Sequence, residues 1–399
     1  MATSGDTTAS SSTASSDDVT TALHDVTATT FTTLVSVAAT TEESEDVPSN
    51  KAIETALDIL LKFVYPALIA VGVIANILTL LVVTRPRSRR QSTSLYLTVL
   101  AVCDIFVLVL DFINNYPKGF DVNLIAQSHT VCVLYRWLFS VCFMYSAWVV
   151  VLLTVERALI VWFPLHAKTK FTRAVIKRVL GGVLFVSGVY NVYNLFAWRG
   201  ADDECDFADG WEDFHANQNM FVTFAAYSYA PSAILIVANC LIIYRLRQMS
   251  KMRSDMQEGV SQSKAPGTDD MTKITITVLA ISFSFLIFTV PVSVYYIIQY
   301  STEQHFDMTL IMALLEVIFL LLVLTNHSVN FGLYILTSKS FRQDFLALLP
   351  CQRFAPKDGS SYALKSSQNN VSQTQTGKKT VRSGIATSQT SVTFASDLT

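Results

Sequence analysis

Seven long apolar blocks dominate this chain of 399 residues and leave it few ways to fold. They lie near 57–83, 95–118, 130–163, 174–198, 217–246, 272–300 and 308–336. Each can cross a bilayer as an α-helix, which takes about 20 mostly apolar residues. Lipid offers no partner for a bare N–H or C=O, so a spanning segment closes its hydrogen bonds within itself. A soluble chain of this length would spread its apolar residues over two or three domains. Here 51% of residues are apolar and only 15% charged, and the apolar ones are gathered in blocks. The fourth block is the most polar, and its Ser187, Asn191 and Asn194 are expected to face other helices rather than lipid.

Lys and Arg set the expected orientation. The first connection carries Arg85, Arg87, Arg89 and Arg90, the third Lys168, Lys170 and Arg173, and the fifth Arg245, Arg247, Lys251, Arg253 and Lys264. Residues 1–50 hold eight acids and neither Lys nor Arg. The odd connections and the C-terminus are therefore expected in the cytoplasm and the N-terminus outside. Three regions are expected: a disordered Ser/Thr-rich outer tail at 1–56, a seven-helix bundle at 57–348 and a disordered cytoplasmic tail at 349–399.

The third block carries the most telling pair. Cys132 and Arg157 are 25 residues apart, roughly 37 Å of helix at 1.5 Å per residue, or one membrane crossing. Glu156 places an acid beside an arginine at depth, where a charge needs a partner. Pro164-Leu165 follows. This segment resembles the Asp-Arg-Tyr motif and following loop of rhodopsin-like (class A) G-protein-coupled receptors. Other landmarks fall in register: Gly72-x-x-x-Asn76, Leu100-Ala101-x-x-Asp104, Pro231, Pro291, and Asn330-Phe331-x-x-Tyr334 in place of Asn-Pro-x-x-Tyr. Phe341-Arg342 opens an amphipathic segment at 338–348 that resembles the family's eighth helix, and Cys351 stands where the family is palmitoylated.

The resemblance implies an all-α seven-transmembrane bundle with a short eighth helix, and a receptor rather than an enzyme. Its coupling switch would be Glu156, Arg157, Pro164, Asn330 and Tyr334. Its activation hinge would be Phe285, Pro231 and Pro291. It implies a disulfide between Cys132 and Cys205, while Cys103, Cys142 and Cys240 read as buried apolar residues within spans. It also implies an allosteric sodium site at Asp104, Ser146, Asn326 and Asn330, with Asn76 nearby. An ion-free aspartate, protonated or bridged by water, is the alternative. His327 reads as a neutral packed histidine; its other reading is a donor to Asp104 that, if charged, excludes sodium. No other cofactor is implied.

The chain departs from the family in places. Ala158 replaces the tyrosine of the arginine motif. Phe288-Thr289-Val290-Pro291 stands where many relatives carry Cys-Trp-x-Pro, so the tryptophan is missing. Met271 replaces a common glutamate, and Asn239 a common tyrosine.

The ligand is approached by exclusion. Block seven has no lysine, so retinal has no Schiff base; Phe139 stands where amine receptors carry aspartate. Between 202 and 213 lie seven acids, and an acidic mouth concentrates cations. Asp111 and Glu316 add deeper acids, beside Asn115 and the aromatics Phe139, Phe143, Tyr227, Tyr295 and Tyr296. Aromatic walls with an acid suit an arginine-bearing peptide end. The run Asn326–Phe331 with Ser340-Phe341-Arg342 and Thr289-x-Pro291 resembles invertebrate FMRFamide-type neuropeptide receptors. The expected ligand is a cationic amidated neuropeptide, and the expected partners are a heterotrimeric G protein, membrane lipid, and a receptor kinase and arrestin at the C-terminal tail. Nothing points to nucleic acid. The alternatives are a receptor of this fold that needs no agonist, or a transporter, which would show internal repeats.

Overall fold

The computed structural model describes residues 48–348, apart from 87, 89–90, 121, 165–169, 202–203, 212–219, 258–267 and 302–309. Of the outer tail expected at 1–56, residues 1–47 lie outside the described residues, as does the expected tail at 349–399 with Cys351, while residues 48–56 are helical rather than disordered. Among the described residues, seven helices are long and apolar enough to cross a membrane.

Helix α1 runs from Pro48–Ile59 through a π turn at Leu60–Val64 into Tyr65–Val83. It thus begins well before residue 57, where the apolar block starts. Ile53 and Leu57 extend the apolar face of α1 against the seventh helix and keep the added turns packed. Helix α2 is Thr93–Asn115, α3 His129–Trp162 and α4 Arg173–Tyr190. A tight turn at Asn191–Tyr193 and a last turn at Asn194–Ala197 lead from α4 into a hairpin of β1 (Trp198–Ala201) and β2 (Glu204–Phe207). Helix α5 passes from Met220–Phe224 through a π turn at Ala225–Tyr229 to Ala230–Gln257. Helix α6 is Thr268–Ser301, and α7 is Leu310–Ser328 resuming at Asn330–Thr337. A short helix, α8, follows at Lys339–Leu346.

Local sequence explains the irregularities. The π turns in α1 and α5 end two residues before Pro66 and Pro231, whose rings carry no N–H to close the usual bond four residues back. Pro291 lies inside α6. Ser128, Thr172 and Ser338 cap α3, α4 and α8 by accepting from the backbone N–H three residues on.

The bundle is most buried along α3, which packs against α2, α4, α5 and α6. Phe185, Ile287, Val71 and Ile74 point outward and are exposed, as lipid-facing residues are. Ser187, Asn191 and Asn194 of the fourth span are buried. Cys240 is not: it lies on the outward face of α5 with Val237 and Leu241, so the expectation of a buried thiol fails there. Gly72 is required where α1 meets α7, since a Cβ there would come within 2.2 Å of Ser328 Oγ.

Candidate functional site

Asp104 is fully buried on α2 and ties three helices together. Its Oδ1 accepts from Ser146 Oγ of α3 at 2.9 Å and lies 2.8 Å from His327 Nδ1 of α7. Its Oδ2 accepts from Asn330 Nδ2 at 2.7 Å. Asn76 stands one step back, donating to the His327 carbonyl at 2.9 Å. Asn326 sits elsewhere, on the wall of a cavity with Phe143, Phe285, Thr289 and His327, and makes no hydrogen bond to Asp104. The cavity is small, about 20 Å³. It opens beside Thr289, the residue that replaces a bulky tryptophan.

Above it an aromatic chain crosses the bundle. Rings pair from Tyr135 to Phe139 (6.0 Å between centroids), Phe139 to Phe143 (5.9 Å) and Phe143 to Tyr227 (5.1 Å). Phe224 then links Tyr227 to Tyr296, and Tyr295 joins Tyr296 to Phe319. Buried Glu316 lies beside Tyr295 and Tyr296. Of the residues expected in one pocket, Phe139, Phe143, Tyr227, Tyr295, Tyr296 and Glu316 come together.

Asp111 and Asn115 do not join them. Asp111 Oδ2 accepts from Tyr65 Oη of α1 at 2.7 Å, and Oδ1 accepts from Asn115 Nδ2 at 3.0 Å. Each carboxylate oxygen is already engaged by a side chain of α1 or α2. Asp111 is thus held by side-chain donors of α1 and α2 inside the bundle.

At the far end of α3, Arg157 and Glu156 are both buried, with Arg157 Nη2 3.7 Å from Glu156 Oε1. Arg157 also donates to Thr93 Oγ1, and Ser92 Oγ donates to Glu156 Oε1 at 3.3 Å. Thr93 in turn lines a cavity of about 60 Å³ together with Tyr334, Thr277 and Phe341. Asn330 lies away from this group, on Asp104, and Pro164 is exposed past the end of α3. At the opposite end of α3, Cys132 and Cys205 are bonded, with Cα atoms 5.6 Å apart. This fastens the hairpin to α3, where Arg136 stacks on Trp198 at 3.7 Å.

Residues 75–334 match the family model of the 7 transmembrane receptor (rhodopsin family). The chain belongs to this family. It is a multi-pass membrane receptor and not an enzyme. Growth hormone secretagogue receptor type 1 of Rattus norvegicus is 26% identical over 322 residues, covering 76% of this chain and 84% of its own. The Homo sapiens form is 26% identical over 323 residues, with the same coverage. A probable G-protein coupled receptor of Caenorhabditis elegans is 26% identical over 330 residues, covering 76% of this chain and 72% of its own.

The rhodopsin family implies a sodium ion at Asp104, and the residues of this receptor fit one poorly. Sodium is a hard cation that needs oxygen lone pairs. The Asp104 carboxylate is instead met by the Ser146 hydroxyl, the Asn330 amide and an imidazole nitrogen. Asn326, an expected oxygen ligand, is turned into the cavity wall.

Three features of the receptor escaped sequence reasoning. Thr93 meets Arg157 across 64 residues of sequence. Tyr65 meets Asp111 across 46. Asn239 of α5 accepts from Ser282 Oγ of α6 at 2.8 Å, tying the two helices where a tyrosine is common. For Tyr65 and Asn239 the available signal was a polar group inside an apolar block; Thr93 lies just before its block and gave no such signal.

Proposed function

We propose that this receptor is activated from outside by a cationic amidated neuropeptide and transmits to a heterotrimeric G protein. The observation that carries the ligand half is the aromatic chain from Tyr135 to Tyr296 with buried Glu316 beside it. Aromatic faces hold a guanidinium by cation–π contact, and a carboxylate at the same end adds charge. Acids at the hairpin, Glu204, Asp206 and Asp209, are exposed at the disulfide end and attract cations to it. The basic first, third and fifth connections favour the opposite end as the cytoplasmic one.

The coupling half rests on Arg157, buried with Glu156 at that opposite end beside a cavity bordered by Thr93 and Tyr334. The Caenorhabditis elegans relative is described as a probable G-protein coupled receptor, in keeping with this reading. Activation is a shift of population between two bundle arrangements. Pro231 and Pro291 leave α5 and α6 without a backbone donor at the level of Phe285 and the cavity, so these helices are the ones able to bend.

The test is a calcium or cyclic-AMP response in cells displaying the receptor, challenged with a library of amidated neuropeptides. An Arg-Phe-amide peptide is expected to act at nanomolar concentration. Glu316→Gln should weaken that peptide at least tenfold more than its arginine-free analogue. Equal losses for the two peptides would remove Glu316 from the ligand site, and silence across the library from a receptor shown at the surface would refute the peptide reading. A second reading, signalling without agonist, is favoured by Thr289 standing in place of the tryptophan; it predicts a basal response in untreated cells.

A further inference from the structure

We infer that His327 takes the place of the sodium ion at Asp104, so that this receptor holds its central acid with an internal side-chain donor and does not respond to sodium. His327 Nδ1 lies 2.8 Å from Asp104 Oδ1, within hydrogen-bond distance. Ser146 Oγ and Asn330 Nδ2 complete the contacts on the carboxylate. An imidazole N–H directed at a carboxylate brings positive charge density where a bound cation would bring it. It also takes up room at the carboxylate, because the residue is buried and held at both backbone and ring. Its backbone carbonyl accepts from Asn76 of α1, and its ring packs on Phe143 of α3 at 5.4 Å between centroids.

A buried carboxylate needs compensating donors; the Ser146 hydroxyl and the Asn330 amide supply two, and His327 Nδ1 stands at hydrogen-bond distance for a third. A sodium ion entering the site would have to displace the histidine from Asp104 and find oxygen ligands. The hydroxyl and the amide now point their hydrogens at the acid, and Asn326 lies in the cavity wall. His327→Ser removes the ring, leaves a hydroxyl oxygen, and is expected to open the site to sodium.

The experiment needs no agonist. Thermal unfolding of the full-length receptor in detergent is followed with sodium chloride titrated against N-methyl-D-glucamine chloride at constant ionic strength. Wild type is expected to give superimposable curves in the two salts. His327→Ser is expected to show a sodium-specific rise in Tm, on the order of 2–4 °C at saturation. Asp104→Asn in the His327→Ser background should abolish that rise. A sodium-specific rise in wild type that Asp104→Asn removes would overturn the inference. So would a His327→Ser receptor that folds with near wild-type Tm and shows no sodium response, since the histidine would then not have been the occupant.

Discussion

Two acids stand on the same face of α2, two turns apart, and the bundle treats them differently. Asp104 reaches across to α3 and α7, where Ser146, His327 and Asn330 converge on it. Asp111 reaches only to Tyr65 of α1 and to Asn115 of its own helix. Both are buried carboxylates, and a buried charge survives in a membrane only when partners compensate it. What separates them is which helices those partners come from. Asp104 joins the two helices that also carry Arg157 and Tyr334, so a change there is felt along α3 and α7. Asp111 fastens a peripheral helix and has no such reach.

The contrast is broken most severely by Asp104→Ala. It would leave the Ser146 hydroxyl, the Asn330 amide and the His327 imidazole without their buried partner, and removing one partner from such a set costs about 3–5 kcal/mol. Tm of the solubilised receptor should fall steeply, with surface display reduced; an unchanged Tm would mean the Asp104 contacts carry no stability. Gly72→Ala comes next. Its new Cβ would press on Ser328 and Leu108, behind His327, and overpacking of this kind costs about 1–3 kcal/mol. The same Tm measurement should register it, and a neutral result would show that α1 can withdraw from α7. The smallest effect is expected from Tyr65→Phe, which deletes the hydroxyl hydrogen shared between the Asp111 carboxylate and its backbone carbonyl, at about 1 kcal/mol. It should leave signalling intact. A large loss of agonist response in Tyr65→Phe would raise Asp111 to the rank of Asp104.

Much of this was legible in advance, because the features concerned follow from one-dimensional patterns. Block length and hydropathy dictate seven crossings, and the spacing of Cys132 from Arg157 places one at each end of α3. Ser146 and Asn330 around Asp104 follow from motifs in register. What was not legible depends on how helices are rotated against each other. Helical periodicity says that Asp111 lies on the face of Asp104, but not that Tyr65 of α1 turns toward it. Thr93 meets Arg157 for the same reason, through the packing of α2 on α3. His327 had two readings on sequence alone, and only the approach of α7 to α2 brings its ring onto the carboxylate. Cys240 misled because an apolar residue in a span is equally at home facing lipid or core. The early start of α1 at Pro48 depends on packing against α7, which hydropathy does not register.

The most direct measurement compares G-protein signalling of wild type and Arg157→Ala at matched surface density, both in untreated cells and with the active peptide. Arg157 is the residue proposed above to meet the G protein. Arg157→Ala is expected to reach the surface and lose the response by at least tenfold. Signalling retained at the wild-type level by Arg157→Ala would contradict that claim.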